Sequence, residues 1–485
     1  MEPFDTLLRG GLVVTPEQEA VLDIGIRAGR IAAVLSPGSP AEARDELDVA
    51  GKVVLPGGVE CHAHIFEPMH RGWLQGNDDK NVWLQSPEGA TRAAVCGGTT
   101  TVLSFAFTAV HVAGEPLDVT AAVAERQGIF AGHSFCDYAF HPVLTGAVPQ
   151  ATLDSLGEAI RGGSPTVKIF TTDVTSAQSG IMIDTGSLTE IMQVCARHGG
   201  LVMAHTEEDG LIKHMEAKLK QEGRAQLRNV RLVHSDLGEE ISFRRILRLA
   251  EASGCPLYLV HVAGPGGLDA LRDARHSGQA AYGETLHNLL CFSEEDYGKP
   301  DGAKYHIAMG LPSKQANQAL WEGLADGSLS TLATDEYTTS YKVKMSGFDI
   351  ESTPGGHAGI ETRGIIGFSE GYKKGRLSLR RFAEVFATNP ARIMGLYPRK
   401  GVIAPGSDAD LAIWDPGVTQ TITMGMLHHD SDYSPWEGWQ VQGWPVMTLL
   451  RGKVMAAGGR VLGSPADGRW LPRAVPDELR TGPVV

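Results

Sequence analysis

His62 and His64 stand two residues apart in VECHAHI. Successive side chains of a strand alternate faces, so both imidazoles would point the same way, and two nitrogen donors on one face suit zinc. Taken alone the pair says little, because with 17 histidines in 485 residues chance produces about 0.6 such spacings. Four more residues are of types that bind metal or move protons: Lys168 in TVKIF, His205 closing LVMAH, His261 closing LYLVH and Asp335 in LATDEY. Each has an ordinary alternative. His205 and His261 would serve as imidazoles capped by backbone carbonyls, Lys168 as a snorkelling ammonium and Asp335 as a helix N-cap. If Lys168 is buried as its apolar neighbours suggest, its neutral amine becomes accessible. Carbon dioxide would convert that amine into a carbamate, an oxygen anion able to bridge two metals.

What would bring these residues together is the elements that carry them. Apolar runs occur at 59–65, 99–107, 134–141, 165–170, 200–205, 256–261, 280–286 and 329–335, separated by helical patterns such as LTEIMQVCARHGG and DLGEEISFRRILRLAEASG. Alternating strands and helices imply a parallel sheet, and eight strands over about 280 residues match a (β/α)8 TIM barrel. The C-terminal ends of barrel strands converge on one mouth, which is where these candidate ligands fall. Residues 5–57 read instead as short strands and turns, a texture that returns in GVIAPGSDADLAIWDPG and PVMTLLRGKVMAAGGRV. The expected organisation is an α/β chain. A small β-sandwich domain is built from both chain ends, 1–57 and 390–485 with a C-terminal extension, around a barrel over 58–389. Residues 415–485 look irregular, the composition of a segment that wraps a neighbouring subunit.

Lys plus Arg number 43 against 57 Asp plus Glu, for a net charge of −14, so the surface should repel nucleic acid and anionic membrane. Hydrophobic residues at 42% and charged ones at 21% exclude a disordered chain. The six cysteines, at 61, 96, 136, 195, 255 and 291, form no CxxC pair and fit reduced thiols. With no signal-like start and no long apolar span, the chain reads as cytoplasmic. The phosphate-cradling glycine patterns are absent, which argues against nucleotide chemistry.

Longer segments extend the argument. In order, PGGVECHAHIFEP, TRAAVCGGTTTVLSF, TVKIF, VMAHTEE, LYLVHVAGPGGLDAL, YGET, GAKY, GIETR, TNPARIMGLYPRKGVIAPGSDADLAIWDP and EGWQVQGWPVMTLLRGKV resemble the amidohydrolase superfamily. The branch resembled is the cyclic amidases, dihydropyrimidinases and hydantoinases, across almost the whole chain. The resemblance implies two divalent ions, usually Zn2+, joined by a carboxylated Lys168. His62, His64 and Asp335 would hold one ion, and His205 and His261 the other. Hydroxide between the metals would attack a small cyclic amide, ureide or imide, with Asp335 as general base and then acid, giving an N-carbamoyl amino acid or related ring-opened product. It also implies a homo-oligomer, commonly a tetramer.

The chain departs from the family pattern at several positions. Glu60 replaces the usual Asp before the first ligand and is expected to orient an imidazole. Asp173 stands where a tyrosine normally contacts the reacting carbonyl, Ala308 where a serine holds the ring amide, Gly355 where an asparagine offers its main chain, and Glu336 where histidine is usual. An unpaired polar group costs about 1–3 kcal/mol, so ordinary hydantoins should lose affinity unless Thr171, Thr172 or Tyr337 substitutes. Phe66, Trp73 and Trp83 are candidates for a bulky apolar pocket. Phe66 also replaces the arginine of dihydroorotases, while Glu67 and Pro68 favour an allantoinase-like alternative. A remoter alternative is a non-catalytic scaffold homologue. Such homologues discard the ligands, and all six ligand positions are filled here.

Overall fold

The computed structural model describes residues 2–108 and 118–485. Eight strands form the barrel: β1 (Gly58–His64), β2 (Thr99–Phe107), β3 (Asp137–Val143), β4 (Thr166–Phe170), β5 (Leu201–His205), β6 (Leu257–Leu259), β7 (Ala281–Leu286) and β8 (Thr331–Ala333). Each pairs in parallel with the next. Closure is by a split strand. After β8 the chain breaks at Thr334–Asp335, and Glu336–Tyr337 resumes in parallel pairing with Ala63 and His64 of β1. The strands are buried along nearly their whole length, which is why they read as continuous apolar runs rather than alternating ones. The covering helices start and stop as their ends dictate. Thr185–His198 begins on Asp184, whose carboxylate accepts the Gly186 and Ser187 N–H groups, and ends at Gly199 with φ 81°. Asp236–Ser253 runs from the Ser235 cap to Gly254 with φ 62°. Both are side-chain caps followed by a left-handed glycine stop.

The expected strands at 256–261 and 329–335 end early, two residues short of His261 and Asp335. Those residues have φ 41° and 51°, and a left-handed residue cannot continue a strand.

A second nine-stranded sheet takes five strands between Phe4 and Pro56 and four between Leu411 and Val461. The two chain ends meet where Leu411–Trp414 pairs antiparallel with Val53–Pro56. Phe4–Val14 forks the sheet, pairing first with Ala43–Asp48 and then with Val53–Val54. Leu8, Ile24, Ile26, Val54, Leu411 and Ile413 are among the buried residues of its own apolar cluster.

Residues 415–485 are not the irregular arm expected from their proline and glycine content. They contain the strands Gln440–Leu450 and Lys453–Ala457, and the tail packs onto its own barrel. Leu471, Val475 and Leu479 are buried there. The Tyr282 hydroxyl lies 2.8 Å from Leu479 O and 2.7 Å from Gly482 O, acceptors for its one hydrogen, and Arg473 donates to Met394 O and Phe140 O. Among the described residues no helix is long and apolar enough to cross a membrane.

Candidate metal centre and active site

The barrel gathers all six candidate ligands at one mouth. His62 and His64, at the end of β1, direct their Nε2 atoms to Asp335 Oδ1 at 3.0 Å and 3.4 Å. Across the mouth His205 Nδ1 faces His261 Nε2 at 2.8 Å. The His62 and His261 ring centroids are 5.8 Å apart, so the two groups are neighbours. Lys168, 1% exposed, places its Nζ 5.4 Å and 5.3 Å from the ring centres of Phe105 and Phe170. Zinc bonds of about 2.0–2.2 Å in a tetrahedron separate adjacent donors by about 3.3–3.6 Å. The His64–Asp335 separation of 3.4 Å falls in that range, and those of 3.0 Å and 2.8 Å fall short of it. The donor set, imidazole nitrogens with carboxylate oxygen, suits a divalent transition-metal ion.

Outer partners fix the rings. Glu284 accepts from His62 Nδ1 and, at 3.1 Å, from the His261 backbone N–H, while the Tyr258 hydroxyl donates to its other oxygen at 2.7 Å. Glu67 Oε2 lies 2.9 Å from His64 Nδ1, and its Oε1 is buried with no hydrogen-bond partner among the described residues. Glu207 Oε1 lies 3.2 Å from His205 Nε2 and its Oε2 2.7 Å from His234 Nδ1. A carboxylate on the far nitrogen fixes the tautomer of a ligating imidazole and turns its lone pair inward.

Glu60 does not play the part expected of it. Its Oε1 accepts the His62 backbone N–H at 2.9 Å, and its Oε2 lies 3.2 Å from Arg363 Nε. The imidazole's acceptor is Glu284, 222 residues further on. The YGET segment holds that residue, but nothing local to it marks the pairing.

Burial alone would discharge the buried groups. It pushes His205 down and His261 well below the ordinary imidazole value, leaving lone pairs free. It lowers Lys168 to about 8 against the pull of Asp335 and Glu284, which makes the neutral amine accessible. At His62 burial is outweighed by Glu284 and Asp335, which push the ring up to about 9. Burial also opposes charge on Asp335, yet His62 and His64 hold it well below the usual carboxylate range. This is a floor in which negative charge demands a cation.

Above the floor opens a cavity of about 340 Å³ lined by Phe66, Trp73, Trp83, Phe105, Phe107 and Phe170 among others. Ala308, Tyr337 and Gly355 also line it, as expected of substrate positions. Asp173 does not. Its Oδ1 accepts the N–H groups of Gly180, Ile181 and Met182 at 2.9–3.0 Å, and its Oδ2 pairs with Lys213 Nζ at 2.9 Å. A carboxylate with this many donors is an anchor for the 174–182 loop. Thr171 is spent on Thr206 at 2.7 Å and Thr172 on Asp209 at 3.3 Å. Glu336 accepts the Gly359 and Ile360 N–H groups. Of the groups proposed to fill the gap left by tyrosine and serine, Tyr337 alone lines the cavity, its ring 5.5 Å from that of His64. Six non-glycine residues have positive φ among the described residues, and Phe66, Val174, His261 and Asp335 are four of them. Three of these four line the cavity and the fourth is a candidate ligand, so backbone strain concentrates where function would require it.

Comparison with known proteins agrees with this geometry. The sequence profile described as "Amidohydrolase family" matches residues 53–455. A D-hydantoinase of Streptomyces coelicolor is 34% identical over 479 residues, covering 97% of this chain and 98% of that protein. A D-phenylhydantoinase of Escherichia coli is 32% identical over 472 residues, covering 96% and 98%. Among solved structures, a D-hydantoinase superimposes with a TM-score of 0.90 at 31% identity, covering 97% of this chain and 99% of that one. The dihydropyrimidinase of Brevibacillus agri gives 0.89 at 28% identity with the same coverage.

Proposed function

The chain belongs to the amidohydrolase family, and from that premise we propose that it opens a cyclic ureide of the hydantoin type carrying a bulky apolar substituent. The relatives named D-hydantoinase and D-phenylhydantoinase support hydrolysis of a C–N bond in a cyclic amide. The observation that carries the reading is an aromatic-lined cavity whose floor holds His62, His64, Lys168, His205 and Asp335, with His261 beside His205 and His62. His62, His64 and Asp335 would hold one divalent ion, His205 and His261 the other, and Lys168 as its carbamate would lie between them. Such ions lower the pKa of bound water to about 7 and polarise a carbonyl oxygen. The chain's own residues do the rest. Glu284, Glu67 and Glu207 keep the imidazoles aimed. With Asp335 Oδ1 turned to two histidines, Oδ2 takes the proton of the attacking water and returns it to the departing ring nitrogen. The Tyr337 phenol supplies a donor beside the ring in place of the family's tyrosine. Phe66, Trp73 and Trp83 exclude water and hold the substituent.

Allantoin is a poorer match, because its polar ureide side chain would face this aromatic wall unpaired. The finer readings of Zn2+ as the metal, a cytoplasmic location and a homotetramer follow the family resemblance and the six free thiols. A panel of 5-phenylhydantoin, hydantoin, dihydrouracil, allantoin, dihydroorotate and a cyclic imide, followed for ring opening, tests the reading. The arylhydantoin should give the highest kcat/KM, and preference for allantoin or dihydroorotate would refute it.

A further inference from the structure

Away from the barrel mouth, three elements bring Cys96, Glu361 and His428 together. Cys96 is the last residue of the helix Pro87–Cys96, Glu361 lies in the first turn of Ile360–Ile366, and His428 belongs to the connection leading to Gln440–Leu450. One sulfur, one carboxylate oxygen and one imidazole nitrogen all lie within 4.8 Å of one another. Glu361 and Cys96 are buried. His428 Nδ1 is 2.8 Å from Glu361 Oε1, and the His428 backbone N–H donates to Oε2 at 2.7 Å. On the opposite side of the ring, Nε2 lies 3.1 Å from the Gly459 carbonyl oxygen. A carbonyl there requires Nε2 to carry the hydrogen, so a neutral ring presents the Nδ1 lone pair to Cys96 and Glu361. Ligating histidines are held the same way. A cavity of about 370 Å³, lined also by Met426, Trp444 and Met447, opens onto the three donors.

We propose that Cys96, Glu361 and His428 form a further binding site for one zinc-class divalent ion, separate from the barrel-mouth centre and with its fourth position open to this cavity. The donor types and number are those of a three-ligand zinc site that keeps an exchangeable position. The ion would tie the 427–430 connection to two barrel helices. Binding displaces the Cys96 thiol proton to solvent as the ion enters. The rival is a plain Glu361–imidazolium pair that takes no metal.

Cobalt separates the two. The barrel-mouth ligands offer only nitrogen and oxygen, so a thiolate-to-cobalt charge-transfer band in the near ultraviolet reports this site alone. Full-length wild-type protein and Lys168→Ala, each loaded with Co2+, should both show the band. Cys96→Ser should lose the band and one metal equivalent per chain while retaining ring opening. Should Cys96→Ser fail to fold, His428→Gln retains the thiol and should lose the same equivalent, and Zn2+ should shield Cys96 of the wild type from alkylation. No band in the wild type under excess Co2+, or a band that survives in Cys96→Ser, overturns the proposal. The test leaves the barrel-mouth reading untouched, since it does not rest on catalysis.

Discussion

The floor of the barrel mouth and the wall above it are built on different principles. Floor residues project from the ends of β1 and β5, from the middle of β4 or from the left-handed turns just beyond β6 and β8, and carboxylates hold the outer nitrogens of His62, His64 and His205. The wall draws Phe66, Trp73 and Trp83 from the long connection after β1, whose backbone is tied by hydrogen bonds such as Phe66 N–H to Gln85 O and Met69 N–H to Val82 O while the rings themselves meet the cavity through apolar contact. Trp83 is 46% exposed and its ring lies 5.1 Å from that of Phe66. Changes to the floor should therefore remove chemistry from every substrate alike, whereas changes to the wall should re-rank substrates.

The largest effect should come from Asp335→Asn, which keeps a side chain of the same shape but cannot take the proton. Steady-state kinetics should show kcat lower by about 10²–10⁴-fold for all ring substrates. Glu284→Gln leaves the ligands in place and weakens the acceptor on His62. Metal affinity, read by chelator competition, should fall by about 10- to 100-fold, and an unchanged affinity would deny Glu284 its orienting role. On the wall, Trp83→Ala should lower kcat/KM for 5-phenylhydantoin by about 10-fold, the worth of roughly 1.4 kcal/mol of aromatic contact, and barely alter unsubstituted hydantoin. Equal losses on both would erase the distinction between floor and wall.

The smallest catalytic effect belongs to Asp173, which the structure assigns to loop anchoring. Asp173→Ala should cost about 1–3 kcal/mol of stability through its three orphaned N–H groups, with kcat nearly unchanged. Burial would raise this carboxyl, but the Met182 N–H and Lys213 outweigh it and hold it below the ordinary value. A depressed folded-state pKa contributes stability above the unfolded value of about 3.9 and loses it as pH falls through the folded value. The stability gap between wild type and Asp173→Asn, measured by denaturant melts, should therefore narrow below about pH 4.

Much of the floor was legible in the sequence because strand-end position is local information. A histidine closing LVMAH or LYLVH announces its place as soon as the barrel is recognised. The partners were not legible. His62 reaches Glu284 across 222 residues, and the choice of Glu284 over the adjacent Glu60 depends on which face of the strand the carboxylate takes. The reading of Asp173 as a substrate contact failed for a similar reason. Aligned position fixes where a Cα lies, but the carboxylate turns to the backbone N–H groups of Gly180, Ile181 and Met182 and to Lys213. The tail's apolar residues Leu471, Val475 and Leu479 recur every fourth residue, but Pro472 and Pro476 between them rule out the continuous helix that such a spacing would otherwise signal, so nothing local announced that they pack the tail down.

Metal content of wild type against Lys168→Ala, both purified with bicarbonate and zinc, decides whether the barrel mouth holds a pair of ions joined through Lys168. Wild type should carry two more ions per chain than the variant, and the variant should open no ring. Equal metal content in two folded proteins would contradict the account.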